Sequence, residues 1–211
     1  MSVGGYVSVK ERFCDEQIIN KSRFITTLVP ISDYDDAMAK VKEISSKYSD
    51  ATHNCYAFIS NDIATEQRFS DDGEPQGTAG MPMLEVLKKR NCLMTLAVVT
   101  RYFGGIKLGA NGLVGAYSSS VVKALDKAQL VLNKRADELK VGCEYGVFKK
   151  LSSLLQKFGC LIVDIEYYDG VTVTFAVDEK DSEILQAEIV DLTQGKATIS
   201  VENNGYYQFE I

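Results

Sequence analysis

The sequence has 211 residues, of which 45% are hydrophobic and 25% charged, a composition typical of a soluble globular protein of one or two domains. Its formal net charge of −6 argues against nucleic-acid binding through the overall charge. No apolar run is long enough to span a bilayer. The segment Met1–Tyr6 lacks the basic region and the apolar core of a signal peptide. The five cysteines form no C-x-x-C pair. We therefore expect a cytoplasmic protein with reduced thiols and no membrane partner.

The first elements along the chain are strands. Residues 6–13 alternate between apolar and polar side chains, and a second strand over Phe24–Val29 is ended by Pro30. Two cations, Lys21 and Arg23, flank a serine just before that second strand. This arrangement makes both side chains candidate phosphate contacts, and a solvated strand end is the alternative.

A helix and a third strand follow. Ser32 is expected to cap the helix, because acidic residues in its first turn complement the helix dipole. The segment 51–60 is predicted to be a strand with His53, the only histidine of the chain, near its start. A hydrogen-bonded structural histidine is the more usual interpretation, and a catalytic base is the alternative. His53 is therefore a possible site histidine, and no second histidine exists to build a His-rich metal site.

Residues 69–82 form a loop rich in glycine and acidic residues, followed by a helix for which Thr78 is the expected cap. A solvated acidic turn is the usual interpretation of such a loop. The carboxylates could also hold Mg²⁺, although their spacing is not that of an EF-hand. A third possibility is an ion-pair network with cations of a second glycine loop. The candidates for the metal site or the ion pairs are Asp71, Asp72 and Glu74.

The most informative stretch is residues 98–118, which is predicted to run from a buried strand through a glycine loop into a helix beginning near Leu113. The first turn of a helix presents unpaired N–H groups and a partial positive charge, and two cations bracket the loop. This geometry suits a phosphate, whereas neither the Walker loop nor the dinucleotide fingerprint fits the spacing, and a plain turn is the alternative. The candidate anion-binding residues are Thr78 of the first glycine loop and Arg101, Gly104, Gly105, Lys107 and Gly109 of the second.

The charge balance changes soon after this helix. Residues 1–133 hold 15 cationic and 15 anionic side chains, whereas residues 134–211 hold 8 and 14. We therefore predict two domains, 1–133 and 134–211. The pattern of the second domain is strand, helix, strand, strand, helix, strand, which is the order of a ferredoxin-like domain. It contains no histidine and no cluster with the spacing of metal ligands.

Four blocks of the first domain resemble the IMPACT/YigZ family, also called UPF0029, and they occur in the family's order. The blocks are residues 21–25, 51–57, 70–80 and 99–109. The acidic second domain resembles the DUF1949 domain of bacterial members. The segment Ala110-Asn111-Gly112 departs from the more usual glycine pair of the family, which implies a stiffer loop.

The resemblance implies an α+β fold. The first domain would have the ribosomal protein S5 domain 2-like fold, with two helices on one face of a four-stranded sheet, and the second would be ferredoxin-like. This pair of domains is similar to the last two domains of elongation factor G, which act on the ribosome. Eukaryotic relatives regulate translation by interfering with the activation of a general-control kinase.

The resulting expectation is a non-catalytic cytosolic binding protein, a translation-linked regulator that binds RNA, the ribosome or a translation partner through phosphate-binding loops of the N-terminal domain. No cofactor is expected apart from possible Mg²⁺. One alternative is an enzyme that acts on a phosphorylated small molecule or nucleotide with Mg²⁺. Another is an adaptor whose acidic second domain meets a basic protein. The sequence gives no oligomeric state.

Overall fold

The computed structural model describes residues 5–211, so most of the segment used to test for a signal peptide lies outside the described residues. The described chain divides into two compact units. The N-terminal unit comprises Tyr6–Leu132 with Glu210–Ile211, and the C-terminal unit comprises Asn133–Phe209 with Gly5. Across residues 5–211, none of the helices has both the length and the apolar character needed to cross a membrane.

The N-terminal unit is built on a five-stranded antiparallel sheet in the order β2-β3-β6-β4-β5. The short strand β1 lies outside this sheet and is bonded to the segment after the second helix, where Val7 N–H donates to the carbonyl of Asn91. The strands are β1 Tyr6–Val9, β2 Phe13–Ile19, β3 Ser22–Pro30, β4 His53–Ile59, β5 Gln67–Ser70 and β6 Thr95–Tyr102.

Three helices cover both faces of this sheet, and their bounds are α1 Tyr34–Lys47, α2 Gly80–Lys89 and α3 Gly109–Lys127. Helices α2 and α3 share one apolar core with the sheet, whereas α1 packs into a second core on the other face, around Phe58, Leu96 and Val98. The sheet thus has one strand more than the four expected, and a third helix covers the face expected to be open.

The hairpin β2–β3 was not predicted from the sequence. Its two-residue turn, Asn20-Lys21, has φ angles of +46° and +64°, the left-handed conformation that tight hairpin turns require. Half-buried and exposed positions alternate in β2, but Asp15 and Gln17 are half-buried and Ile18 is exposed, so this edge strand carries a weak hydrophobic signal. Lys21, expected before a strand, therefore lies at the tip of a hairpin.

Two helix starts differ from the prediction. The cap of α1 is Asp33, whose carboxylate accepts the N–H of Asp36 at 2.8 Å, so the predicted Ser32 cap is wrong by one residue. Helix α3 begins at Gly109, four residues before Leu113. The glycine-rich segment expected to be a loop is therefore its first turn, since packing of the apolar face outweighs the poor helix propensity of glycine.

The C-terminal unit is a ferredoxin-like βαββαβ domain with the strand order β10-β7-β9-β8. Its elements are β7 Leu130–Cys143, α4 Tyr145–Lys157, β8 Leu161–Tyr167, β9 Val171–Asp178, α5 Ser182–Thr193 and β10 Thr198–Glu210. The first and third strands lie in the centre of the sheet, and both helices contribute to one core that includes Leu151, Phe175 and Leu185. The expected two-domain α+β class is confirmed, although β10 is much longer than the predicted last strand.

Candidate ligand-binding site

The N-terminal unit contains a cavity of about 430 Å³ at one end of its central strands. Its walls come from the start of β4, the loop before α2, the loop after β6 and the first turn of α3. They include His53, Glu74, Arg101, Phe103 and Lys107. The volume lies within the range of pockets that bind small molecules and cofactors.

Sheet register explains why distant sequence blocks meet at this cavity. Strand β6 pairs with both β3 and β4, which places Arg101 opposite Phe24 on one side and opposite His53 on the other. The hydroxyl of Ser22 accepts hydrogen bonds from Arg101 Nη2 at 3.3 Å and from the N–H of Gly104 at 3.2 Å. The β2–β3 turn, the start of β4 and the end of β6 are thereby fixed together.

Arg101 forms a buried ion pair with Glu74. Its Nη1 donates to Glu74 Oε1 at 2.6 Å, and the two side chains are only 6% and 4% exposed. Its guanidinium carbon lies 5.4 Å from the ring centre of Phe24 and 5.5 Å from that of Phe103. Arg101 was predicted as a phosphate contact, but the structure places it in a neutral internal pair and not on the surface.

The second hydrogen bond to the Glu74 carboxylate comes from α3. Tyr117 donates its hydroxyl hydrogen to Glu74 Oε1 at 2.7 Å, and burial, followed by its neighbours Cys55 and Glu74, raises the pKa of this tyrosine. The thiol of Cys55 donates to the carbonyl of Asp71 at 3.0 Å, and burial raises its pKa to about 12. Both groups are therefore neutral near pH 7, and Glu74 is the anion of this cluster.

His53 is held by a backbone carbonyl. Its Nδ1 lies 2.7 Å from the carbonyl oxygen of Asp72. A carbonyl oxygen only accepts hydrogen bonds, so Nδ1 carries the proton and Nε2 of the neutral ring is an acceptor. Nε2 lies 3.9 Å from Glu74 Oε2, which is beyond hydrogen-bond distance. The histidine thus has a structural bond on one side and a free acceptor on the side of Glu74.

The acidic loop caps α2 through Asp71. Its Oδ1 accepts the N–H groups of Ala79 and Gly80 at 3.0 and 2.8 Å, which satisfies donors at the start of the helix. The predicted cap, Thr78, is wrong, because its hydroxyl donates to the carbonyl of Pro75 at 2.7 Å and α2 has no cap from the residue before it. The side chain that caps the start of α2 is that of Asp71, eight residues before Ala79.

The three carboxylates of this loop have separate partners. Asp71 binds backbone amides, Asp72 Oδ2 accepts the N–H of Asn54 at 2.5 Å, and Glu74 pairs with Arg101. Within residues 5–211, no group of three or more His, Cys, Asp or Glu side chains is arranged to hold a metal ion. The structure therefore offers Mg²⁺ no shared set of these carboxylates, and Glu74 joins the two glycine loops through an ion pair.

Lys107 and the first turn of α3 form the cationic side of the cavity. Lys107 is exposed and has no ion-pair partner among the described residues. The residue before the helix, Leu108, provides no side-chain cap, and Gly109 enters the helix at φ +70°. The N–H groups of this turn are thus open to an anion that also contacts the lysine.

The two glycines of the loop have different roles. A Cβ on Gly104 would lie 2.0 Å from the carbonyl carbon of Lys21, so this glycine permits close packing against the β2–β3 turn. Gly105 has φ +85° and no neighbour within 4 Å of its Cβ position, so it supplies backbone freedom at an open site. Of this pair, Gly105 is the glycine that leaves room for a ligand to approach the loop.

Lys21 and Arg23, the other predicted phosphate contacts, are not among the residues that line the cavity. Arg23 Nη2 pairs with Glu16 at 2.8 Å, and its guanidinium carbon lies 5.7 Å from the ring centre of Tyr102. The structure thus separates the four predicted cations. Arg101 forms a buried pair and Arg23 a surface pair, whereas Lys21 at the hairpin tip and Lys107 at the cavity have no ion-pair partner among residues 5–211.

Tyr117 and Phe103 belong to the site but were not among the site candidates predicted from the sequence. Tyr117 lies on the apolar face of α3, and a polar aromatic at such a position indicates a buried hydroxyl with a partner. Phe103 is 46% exposed beside the cavity. A large apolar side chain directly before a glycine pair was the available signal.

The fold defines a two-domain α+β protein with a cavity in its N-terminal domain. The Impact N-terminal domain matches residues 20–125, and the domain of unknown function DUF1949 matches residues 141–196. The chain belongs to the IMPACT family.

Several bacterial proteins are similar over most of the chain. The IMPACT family member YvyE of Bacillus subtilis (strain 168) is 41% identical over 92% of this chain and 89% of its own length. The family member YigZ of Escherichia coli (strain K12) is 35% identical over 84% of this chain and 88% of its own. A solved structure described as a hypothetical protein is 31% identical, with a TM-score of 0.61 over 95% of this chain and 98% of that one.

Proposed function

We propose that this chain is a cytoplasmic, translation-linked RNA-binding protein whose cavity holds a phosphate-bearing nucleotide of single-stranded RNA. The observation that carries the proposal is the meeting of an unpaired lysine, an uncapped helix start and an exposed aromatic ring at one cavity. Each of these features suits one part of a nucleotide. Family membership adds support through the translation-linked roles implied by the resemblance to IMPACT proteins.

The phosphate would bind at the start of α3. N–H groups of the first turn provide directed donors with a partial positive charge, and Lys107 adds a full positive charge beside them. Both features lie in the part of the chain with balanced charge, so the acidic C-terminal domain does not prevent a local phosphate site. Binding through a single such contact is weak, and several contacts along a strand would be needed for firm attachment.

The base would stack on Phe103. Its ring lines the cavity, is 46% exposed and has the Arg101 guanidinium close by, which fixes the ring in place. Stacking of a base on an aromatic side chain contributes about 1–3 kcal/mol and requires no particular sequence. Single-stranded RNA offers such unstacked bases, whereas a duplex does not.

The test is fluorescence anisotropy of a labelled single-stranded RNA decamer at about 50 and 200 mM salt, the range over which phosphate-dominated binding weakens steeply. We expect salt-sensitive binding by the wild type and several-fold weaker binding by Lys107→Ala, with a salt slope smaller by about 0.7. The matched control is Lys89→Ala, since Lys89 is exposed at the far end of α2 and does not line the cavity. Equal affinities for the two variants, or binding unaffected by salt, would refute the proposal.

One observation favours a second candidate, an enzyme that acts on a phosphorylated nucleotide. The free Nε2 of His53 is an acceptor beside the cavity and is able to take a proton from a bound substrate. Chromatography of nucleotides and RNA after incubation with the protein, with and without Mg²⁺, tests this candidate. Turnover by the wild type that is lost in His53→Gln would support an enzymatic function. Nucleotides and RNA that remain unchanged after incubation with the wild type would exclude it.

A further inference from the structure

We propose that the cavity is selective for guanine, an inference that rests on the proposed nucleotide site. Glu74 Oε2 and His53 Nε2 are two hydrogen-bond acceptors 3.9 Å apart at the cavity wall. Guanine is the one common RNA base whose Watson–Crick edge carries two adjacent donors, the N1–H and the 2-amino group. Reading of unpaired bases through this edge is a general mode of RNA recognition.

The first acceptor is Oε2 of Glu74, one oxygen of a largely buried carboxylate that lines the cavity. Glu74 is 8% exposed, and both hydrogen bonds to its carboxylate, from Arg101 and Tyr117, go to Oε1. Among residues 5–211, none donates a hydrogen bond to Oε2. A carboxylate oxygen has room for two donors. Oε2 at the cavity wall is therefore able to accept a hydrogen bond from a bound ligand.

The second acceptor is fixed in its orientation and in the tautomer of its neutral ring. The bond from His53 Nδ1 to the Asp72 carbonyl holds the ring and leaves the Nε2 lone pair available. The 3.9 Å separation from Glu74 excludes a direct hydrogen bond between the two side chains. A donor-bearing ligand edge placed against both atoms would satisfy them together.

The charge distribution orients the nucleotide. Lys107 and the start of α3 attract the phosphate, whereas the wall formed by Glu74 and His53 offers hydrogen-bond acceptors to the base. Arg101 also lies at this wall, and its Nε is the one buried side-chain nitrogen or oxygen without a hydrogen-bond partner in the described part of the chain. This nitrogen is a donor, so a ligand atom that bonds to it must be an acceptor.

Other bases present a less suitable edge. Adenine and cytosine each place one amino donor next to a ring acceptor, and uracil places one N–H between two carbonyl oxygens. Each would bring a hydrogen-bond acceptor of the base towards Glu74 or His53. Two acceptors would then face each other, and no hydrogen bond could form between them. A site built to bond a donor rejects the analogue that lacks it, because its own polar groups then remain unpaired.

The decisive experiment compares guanosine and inosine 5′-monophosphates by isothermal titration calorimetry with the full chain. Inosine lacks only the 2-amino group. We expect GMP to bind at least about tenfold more tightly than IMP, because the lost bond is to a charged or strongly accepting group. We expect AMP, CMP and UMP to bind no better than IMP. Equal affinities for GMP and IMP would overturn the inference.

A second arm separates free nucleotides from RNA. Single-stranded decamers that carry one guanosine or one inosine at the same position are compared by anisotropy. A preference for guanosine in the strand assigns the site to RNA, and a preference confined to free GMP assigns it to guanine nucleotides. The substitution His53→Phe keeps a ring and removes the acceptor, so it should reduce the GMP-to-IMP affinity ratio towards one.

These outcomes distinguish this inference from the proposed function. Salt-sensitive RNA binding that needs Lys107 but shows no guanine preference leaves the RNA site in place and refutes selectivity. No binding of any nucleotide or RNA refutes both. The comparison of GMP with IMP uses the wild-type protein, so it does not depend on the folding of any variant.

Discussion

Nη1 of Arg101 lies 2.6 Å from Oε1 of Glu74, in a pair that joins the end of β6 to the loop before α2 across 27 positions of sequence. The pair removes from the surface the arginine that the sequence suggested as a phosphate ligand. It also fixes one carboxylate oxygen and leaves the other at the cavity. The same ion pair is therefore a structural support and the element that orients the cavity wall.

Loss of this ion pair should destabilise the fold. Glu74→Gln leaves a buried guanidinium without its counter-charge, and removal of one partner of a buried pair costs about 3–5 kcal/mol. Urea unfolding followed by circular dichroism measures the change. The control Glu85→Gln affects a half-exposed side chain paired with Lys88 and should change the free energy of unfolding by less than about 1 kcal/mol. Equal effects of the two substitutions would contradict the assigned role of Glu74.

The carboxylate of Asp71 should stabilise the start of α2. Because it accepts the N–H groups of Ala79 and Gly80, Asp71→Ala is expected to lower the free energy of unfolding by about 1–2 kcal/mol. Thr78→Ala should cost less, since its hydroxyl bonds only the carbonyl of Pro75. A larger loss for Thr78→Ala than for Asp71→Ala in thermal unfolding would restore the cap expected from the sequence.

Two glycines should respond to alanine with opposite signs. At Gly104 the new Cβ would overlap the backbone of Lys21, so the hairpin must shift and a loss of more than about 2 kcal/mol is expected. At Gly115, within α3, nothing lies within 4 Å of the Cβ position. Alanine there should stabilise the protein by about 0.5–1 kcal/mol through helix propensity. Chemical denaturation of both variants checks the pair, and a stable Gly104→Ala would rule out the close approach.

The buried thiol of Cys55 should be unreactive in the folded protein. Burial raises its pKa to about 12, so little thiolate exists at pH 8, whereas Cys14 is exposed. Labelling with iodoacetamide followed by peptide mass spectrometry should modify Cys14 first and Cys55 only after unfolding. Similar labelling rates for the two cysteines in the native protein would contradict this expectation.

The same pKa shift predicts a pH dependence of stability. The folded-state pKa of Cys55 is above that of an unfolded thiol, so its contribution is fully present at pH 8. It is lost as the pH rises from about 9 through 12, because the unfolded chain releases the proton first. Burial raises the pKa of Cys92 to about 11, which adds to the trend. The urea midpoint should therefore be lower at pH 10 than at pH 8, and an unchanged midpoint would count against both shifts.

The sequence predicted the strand, loop and helix around Gly104-Gly105 because a short apolar run precedes these glycines and a helical spacing of apolar residues follows Gly112. It did not predict the β2–β3 hairpin, since the apolar alternation of an edge strand is weak and the turn Asn20-Lys21 lacks glycine. The predicted start of α3 was four residues too far along the chain. Glycine has a low helix propensity, so Gly109 and Gly112 indicated a loop in the absence of information on tertiary packing.

For the site, residue types indicated the right neighbourhood but not the partners. Arg101 and Lys107 looked equivalent as cations of one loop, and only the register of β6 with β4 buries the first and leaves the second exposed. Which oxygen of Glu74 is left to the cavity depends on the distances to Tyr117 and His53. These residues lie on three different elements, so no local pattern in the sequence could predict their contact.

The most direct test of the translation-linked proposal is co-sedimentation of the protein with purified ribosomes at low and moderate salt. We expect the wild type and Lys89→Ala to pellet with ribosomes at low salt and to be released as salt rises. Lys107→Ala, confirmed as folded by circular dichroism, should remain mainly in the supernatant. A wild type that stays in the supernatant at low salt, or a Lys107→Ala protein that pellets as well as Lys89→Ala, would contradict the proposed role of the cavity.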